Sequence, residues 1–168
     1  DPESGVVESQ YQIRQDSTVG TIIVNWTSTG TVKNVTRTGL SLASGKKYFF
    51  AVKARNGVNL WSAIGYSNGI TVDASAPNAP GIPKEGGTAD LDYDPDGGYT
   101  VYWTAAADAQ SSIAAYELQE RAGPSGAWTT LTSTTTARSF AVTNRQQGTR
   151  YFYQVRAKNG AGLWGPFA

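Results

Sequence analysis

The stretch Tyr48-Phe49-Phe50-Ala51-Val52-Lys53-Ala54-Arg55-Asn56-Gly57 returns as Tyr151-Phe152-Tyr153-Gln154-Val155-Arg156-Ala157-Lys158-Asn159-Gly160, a step of 103 residues. Leu60-Trp61 and Leu163-Trp164 keep the step, as do Gly45 and Gly148. Upstream, Trp26-Thr27 and Trp128-Thr129 stand 102 apart, and Tyr11-Gln12-Ile13 and Tyr116-Glu117-Leu118 stand 105 apart. A drift of one or two residues is what unequal loops produce between two copies of one fold. A long-period repeat therefore makes the 168-residue chain two small domains rather than one large one.

Within each copy the apolar residues alternate at a period of two. Thr100-Val101-Tyr102-Trp103 and Ala115-Tyr116-Glu117-Leu118-Gln119 each place one set of side chains on one sheet face. Thr, Val, Tyr, Phe and Trp suit pleated, half-buried surfaces. Gly, Asn, Ser and Pro punctuate the runs at Asp96-Gly97-Gly98, Gly123-Pro124-Ser125-Gly126 and Asn159-Gly160. No stretch keeps a helical period. The fold class expected is all-β, a sandwich or barrel of short strands. Phe50, Val52 and Ala54 are expected to point inward, as are Tyr153, Val155 and Ala157. Between the copies, Pro77, Pro80 and Pro83 predict a short, semi-rigid linker over 77–83, separating domains at 1–76 and 84–168.

Composition removes whole classes of function. Cys, His and Met are absent. Disulfides, thiol chemistry, Ser-His-Asp and Cys-His nucleophiles and His-bearing zinc sites are thereby excluded. The Walker and nucleophile-elbow motifs are missing too. Glu117 and Glu120 sit on or near one strand, with no cleft signal to make them a hydrolytic pair. The reading is that the chain is not an enzyme. Fourteen Lys and Arg against thirteen Asp and Glu leave a net charge of +1, no electrostatic reason for a nucleic-acid partner. The longest apolar runs fall far short of the ~20 residues that cross a bilayer. The absence of oxidisable thiols and thioethers suits an extracellular or cell-surface setting.

At this level of detail the chain resembles a tandem of fibronectin type III domains, the immunoglobulin-like sandwiches repeated in bacterial and archaeal surface proteins. The residues that carry the likeness are an early-strand Trp in Tyr99-Thr100-Val101-Tyr102-Trp103, the Tyr11-Gln12-Ile13 and Tyr116-Glu117-Leu118 strands, and a corner over Leu42–Tyr48. They also include the strands Tyr48–Asn56 and Tyr151–Asn159. The second corner, Arg145–Tyr151, keeps Gly148 and Tyr151 but loses the Leu and Pro of the family pattern. The resemblance implies structural roles for Trp103 in a core and for Tyr48 and Tyr151 as tyrosine corners. Laid on the seven-strand family pattern, the first copy lacks strands A and B and the second stops before strand G.

Several residues are candidates for chemistry. Asp92, Asp94 and Asp96 match the opening of a calcium loop, but Trp103 stands where a bidentate Glu belongs, so a solvated turn is preferred and no cofactor is expected. Asn25 and Asn34 each open an N-x-S/T glycan acceptor pattern. Asn56-Gly57 and Asn159-Gly160 read as turn residues needing positive φ. Trp61 and Trp164 either stack on sugars or pack over a sandwich end, with packing preferred.

The expected role is a non-catalytic structural repeat of an extracellular surface protein: a spacer, adhesin stalk or filament subunit. Its partners would be neighbouring fibronectin-like domains or identical subunits that complete an open sandwich by strand addition. The alternative is a carbohydrate- or protein-binding accessory module of a secreted enzyme, whose partners are glycans or other surface proteins.

Overall fold

A computed structural model describes residues 2–87 and 90–168. The chain divides into two compact units, Asp1–Asp73 and Ala74–Ala168, and every named element is a strand.

In the first unit, β1 (Val6–Gln15) and β2 (Thr21–Gly30) form a hairpin, and β3 (Lys47–Asn56) pairs with the other side of β1. The two-residue strands β4 (Gly65–Tyr66) and β5 (Ile70–Thr71) follow on the far edge of β3. Tyr11 stands opposite Val52 and Ile13 opposite Phe50, so all four share one face. On that face Tyr11, Ile13, Val24 and Tyr48 are buried, with Leu40, Leu42 and Val72 packed against them. Segment 32–42 forms no strand but supplies Leu40 and Leu42 to this cluster.

The second unit is a β-sandwich of two three-stranded sheets. One sheet has the order β10-β7-β6, built from β6 (Lys84–Glu85), β7 (Tyr99–Tyr102) and β10 (Ser139–Val142). The other has the order β11-β8-β9, from β8 (Ile113–Ala122), β9 (Thr129–Thr135) and β11 (Tyr151–Asn159). The inner faces meet in one core of Val101, Trp103, Tyr116, Leu118, Val142, Val155 and Ala157. Trp103 packs edge-on against Tyr116, ring centroids 5.8 Å apart, a favoured aromatic geometry.

Four expectations need correction. First, Phe50 and Val52 do not end up inside: they are 38% and 49% exposed, whereas Val155 is fully covered. In the second unit β7 and β10 lie over this face; among the described residues the first unit builds a single sheet. Second, the Pro-rich stretch is no free linker but part of the second unit. Pro77, Pro80 and Pro83 are buried, the Asn78 amide donates to the Ala107 carbonyl at 3.1 Å, and Gly81 to Thr104 at 3.2 Å. Proline, lacking a ladder donor, is suited to such an edge.

Third, residues 164–168 already run beside β11, where no further strand was expected. Trp164 bridges Lys158, Gly165 donates to Ala157 at 2.8 Å, and Val155 and Ala168 exchange two backbone bonds. Fourth, the repeat aligns differently in space. Val52 faces Tyr11 and its counterpart Val155 faces Leu118, so Tyr11 corresponds to Leu118, not to Tyr116. The slip is two residues, which keeps every side chain on its face and leaves the alternating pattern blind to it.

Candidate functional site

The face of each main sheet opposite its buried cluster is where the side chains capable of chemistry collect. In the first unit Lys53 lies between two indoles, its Nζ 4.4 Å from the ring centroids of both Trp26 and Trp61. Arg55 stands over the same Trp61 ring at 5.8 Å. In the second unit Arg156 lies between Trp164 and Phe167 at 4.7 and 4.6 Å, with Lys158 over Trp164 at 5.5 Å. Lys53 and Arg156 are repeat partners, as are Trp61 and Trp164, so the same clamp is built twice. The alternation of β3 and β11 makes it: Lys53 and Arg55, like Arg156 and Lys158, are successive residues of the outer face, and the loop returning from the strand lays its Trp across them. Trp61 is thus 40% exposed with a cation on its ring, and Trp164 is half-buried in the same manner.

Trp26 and Trp128, similar in sequence, serve different rows. Trp26 stacks on Lys53, whereas Trp128 stacks on Arg121 at 4.7 Å. The two glutamates considered as a hydrolytic pair point to opposite faces of β8, being three residues apart on a strand. Glu117 pairs with Arg156 at 2.6 Å on the outer face, and Glu120 with Arg145 at 2.6 Å on the other.

The corner tyrosines accept backbone bonds from their loops. Tyr48 Oη accepts from the Ala43 amide at 2.8 Å and donates to Gln15 Oε1 at 3.2 Å. Tyr151 Oη accepts from the Gln146 amide at 3.1 Å. Asn56 and Asn159 do not adopt positive φ; the left-handed residues are Asn59 and Gly162, three further on. The Asn side chains instead accept from the turn, Asn56 Oδ1 from Leu60 at 2.9 Å and Asn159 Oδ1 from Leu163 at 2.9 Å. Gly57 and Gly160 are required for a different reason: a β-carbon there would stand 2.7 Å from the Ser4 carbonyl and 2.5 Å from the Ser111 carbonyl.

Asp94 and Asp96 close their own turn. Asp94 accepts from the Gly97 and Gly98 amides, and Asp96 Oδ1 from Gly98 at 3.1 Å. Among the described residues no group of three or more carboxylates is arranged to hold a metal ion. Asn25 lies exposed on β2 with its Oδ1 accepting from the Trp26 amide at 2.8 Å, and Asn34 lies exposed in the loop that follows. Among the described residues no helix is long and apolar enough to cross a membrane.

One feature of the second unit had no sequence signal. Glu120 accepts from Tyr153 Oη at 2.6 Å as well as from Arg145, and the Tyr153 and Tyr99 hydroxyls are 2.9 Å apart. Burial, and hydrogen bonding to Glu120, push the Tyr153 phenol far above its ordinary range. Of these groups Tyr99, Arg145 and Tyr153 line a cleft of about 800 Å3, together with segment 90–97 and the corner at 145–150. Glu85, on the strand beside Tyr99, has its pKa raised to about 7 by burial and by the hydrogen bond it makes to Asp90.

Residues 88–167 match the model of the fibronectin type III domain family. Endoglucanase B of Cellulomonas fimi is 33% identical over 156 residues, which is 89% of this chain and 14% of that protein. The chain thus spans about a seventh of the length of this curated relative. Among solved structures, the FN1–FN3 domains of chicken CNTN1 align with 95% of this chain and 53% of theirs, at a TM-score of 0.56 and 19% identity. A segment of two fibronectin type III domains from chicken tenascin aligns with 99% of this chain and 84% of its own, at a TM-score of 0.43 and 16% identity.

Proposed function

We propose that this chain, whose residues 88–167 match the fibronectin type III domain, is a non-catalytic structural repeat of an extracellular or cell-surface protein, serving to space its neighbours. The observation that carries the reading is how the reactive side chains are used. Trp61 and Trp164 have cations on their rings, Tyr48 and Tyr151 hold corners, Asp94 and Asp96 close a turn, and Glu117 and Glu120 are each paired with an arginine. Each of these groups serves packing. Incubating the chain with cellulose and with xylan and measuring released reducing ends tests the non-catalytic part. No release is expected, and turnover abolished by Glu117→Gln or Glu120→Gln would sink it.

The open face of the first unit bears on partners. Phe50 and Val52 lie where the second unit covers their counterparts with β7 and β10. In this reading a sheet from a neighbouring fibronectin-like domain or an identical subunit covers them, hiding the apolar face. Sedimentation velocity over a range of concentrations checks this. Association that Val52→Lys weakens is expected, whereas a monomer that also leaves a hydrophobic dye unbound overturns it.

A second reading, an accessory module of a larger secreted enzyme, is favoured by one observation. The relative matched over most of this chain is an endoglucanase of which the chain represents a small part.

A further inference from the structure

The cleft at the end of the second unit is lined by Glu85 of β6, Asp92 and Tyr93 of segment 90–97, Tyr99 of β7, Arg145 of the corner and Tyr153 of β11. Its volume of about 800 Å3 falls within the roughly 300–1,000 Å3 of small-molecule sites. Among the described residues Tyr93 is the most exposed aromatic. It is 92% exposed and, among the described residues, no cation stands over its ring, while Trp61, Trp128, Tyr151, Phe152 and Trp164 all carry one. A bare ring at the rim of a polar cleft offers a flat apolar face to a ligand. Tyr99, Tyr153 and Arg145, which also line the cleft, are held to one another and to Glu120 by the bonds already described, so the phenols are set before any ligand arrives.

The charge of the cleft narrows the ligand. Arg145 is spent on Glu120, and Glu85 shares a proton with Asp90 near neutrality. What remains is Asp92, Asp94 and the single charge left on the Glu85–Asp90 pair against Arg150, an excess of negative charge that repels a polyanion. Carboxylates, phenols and the Arg150 guanidinium line the walls beside the exposed ring of Tyr93. A molecule with hydroxyls around its edge and C–H groups on its face satisfies both kinds of surface.

We propose that this cleft binds a neutral oligosaccharide, with one sugar ring stacked on Tyr93 and its hydroxyls bonded to the carboxylates and phenols of the walls. The proposal rests on the accessory-module reading and gives that reading a site. The spacer reading needs no ligand and survives its failure.

The test is an NMR titration of the whole chain, following backbone amides, with cellohexaose and separately with xylohexaose. Shifts confined to the amides around Gly97, Tyr99 and Arg145–Tyr153 are expected with at least one of them. Tyr93→Ala, at a position too exposed to support the fold, is expected to weaken that binding by about tenfold or more. Trp61→Ala, in the other unit, is expected to leave it unchanged. Three results would overturn the proposal: no shifts with either sugar at about 10 mM, shifts that Tyr93→Ala leaves intact, or shifts at the cleft produced by an oligolysine peptide and by neither sugar.

Discussion

Gly57 and Gly160 sit where a loop carbonyl leaves no room for a β-carbon, and neither has the positive φ that would make backbone freedom the reason. The cost of Gly160→Ala is therefore steric, about 1–3 kcal/mol as for other overpacked sites, and should lower the urea midpoint. Tyr48→Phe removes the acceptor of the Ala43 amide. A loss of about 1 kcal/mol by the same measurement is expected, since the buried hydroxyl that ties the Ala43 amide to Gln15 is gone.

Glu85 makes the second unit sensitive to pH. Burial, then the bond to Asp90, raise its pKa from 4.5 to about 7, so the folded state holds a proton that the unfolded state has released. Stability therefore falls as pH rises through that interval. Asp90 acts oppositely: the bond from Glu85 lowers its pKa, and that contribution is lost as pH falls through the folded value. The urea midpoint should be lower at about pH 8 than at about pH 5.5, and Glu85→Gln should flatten the difference. A wild-type midpoint level across this range would contradict the assignment.

The clamp of stacked side chains belongs to the scale of the element. β3 and β11 each carry cations on the outer face, and the return loop fixes a tryptophan over them. A double-mutant cycle on Lys53→Ala and Trp61→Ala should show coupling of about 0.5–1 kcal/mol, the range for exposed cation–π contacts. No coupling would mean the stack holds nothing. Much of this was legible in the sequence as identities: the repeated strand and the repeated Leu-Trp. The cation partners were not legible, because a Trp several residues past a strand reaches back only once the loop geometry is set by Asn56 or Asn159.

For the whole molecule, the two units test how far a shared pattern carries shared packing. Val155→Ala should cost about 2 kcal/mol and Val52→Ala less than about 1 kcal/mol, because only the first is sealed against a second sheet. Equal losses, read from the two unfolding transitions, would mean that the Val52 face is covered in solution.

The sequence by itself determined the strands, their two-fold repetition, the corner tyrosines and the exclusion of histidine and cysteine chemistry, because all of these depend on residue type and a period of two. Tertiary structure decided the rest. A register slip of two residues preserves that period, so only the cross-strand partners revealed that Tyr11 corresponds to Leu118. Burial of a strand face depends on what lies over it, so Val52 and Val155 share a pattern and differ in exposure. The cleft draws its walls from segments some sixty residues apart in sequence, a distance over which no local pattern carries information.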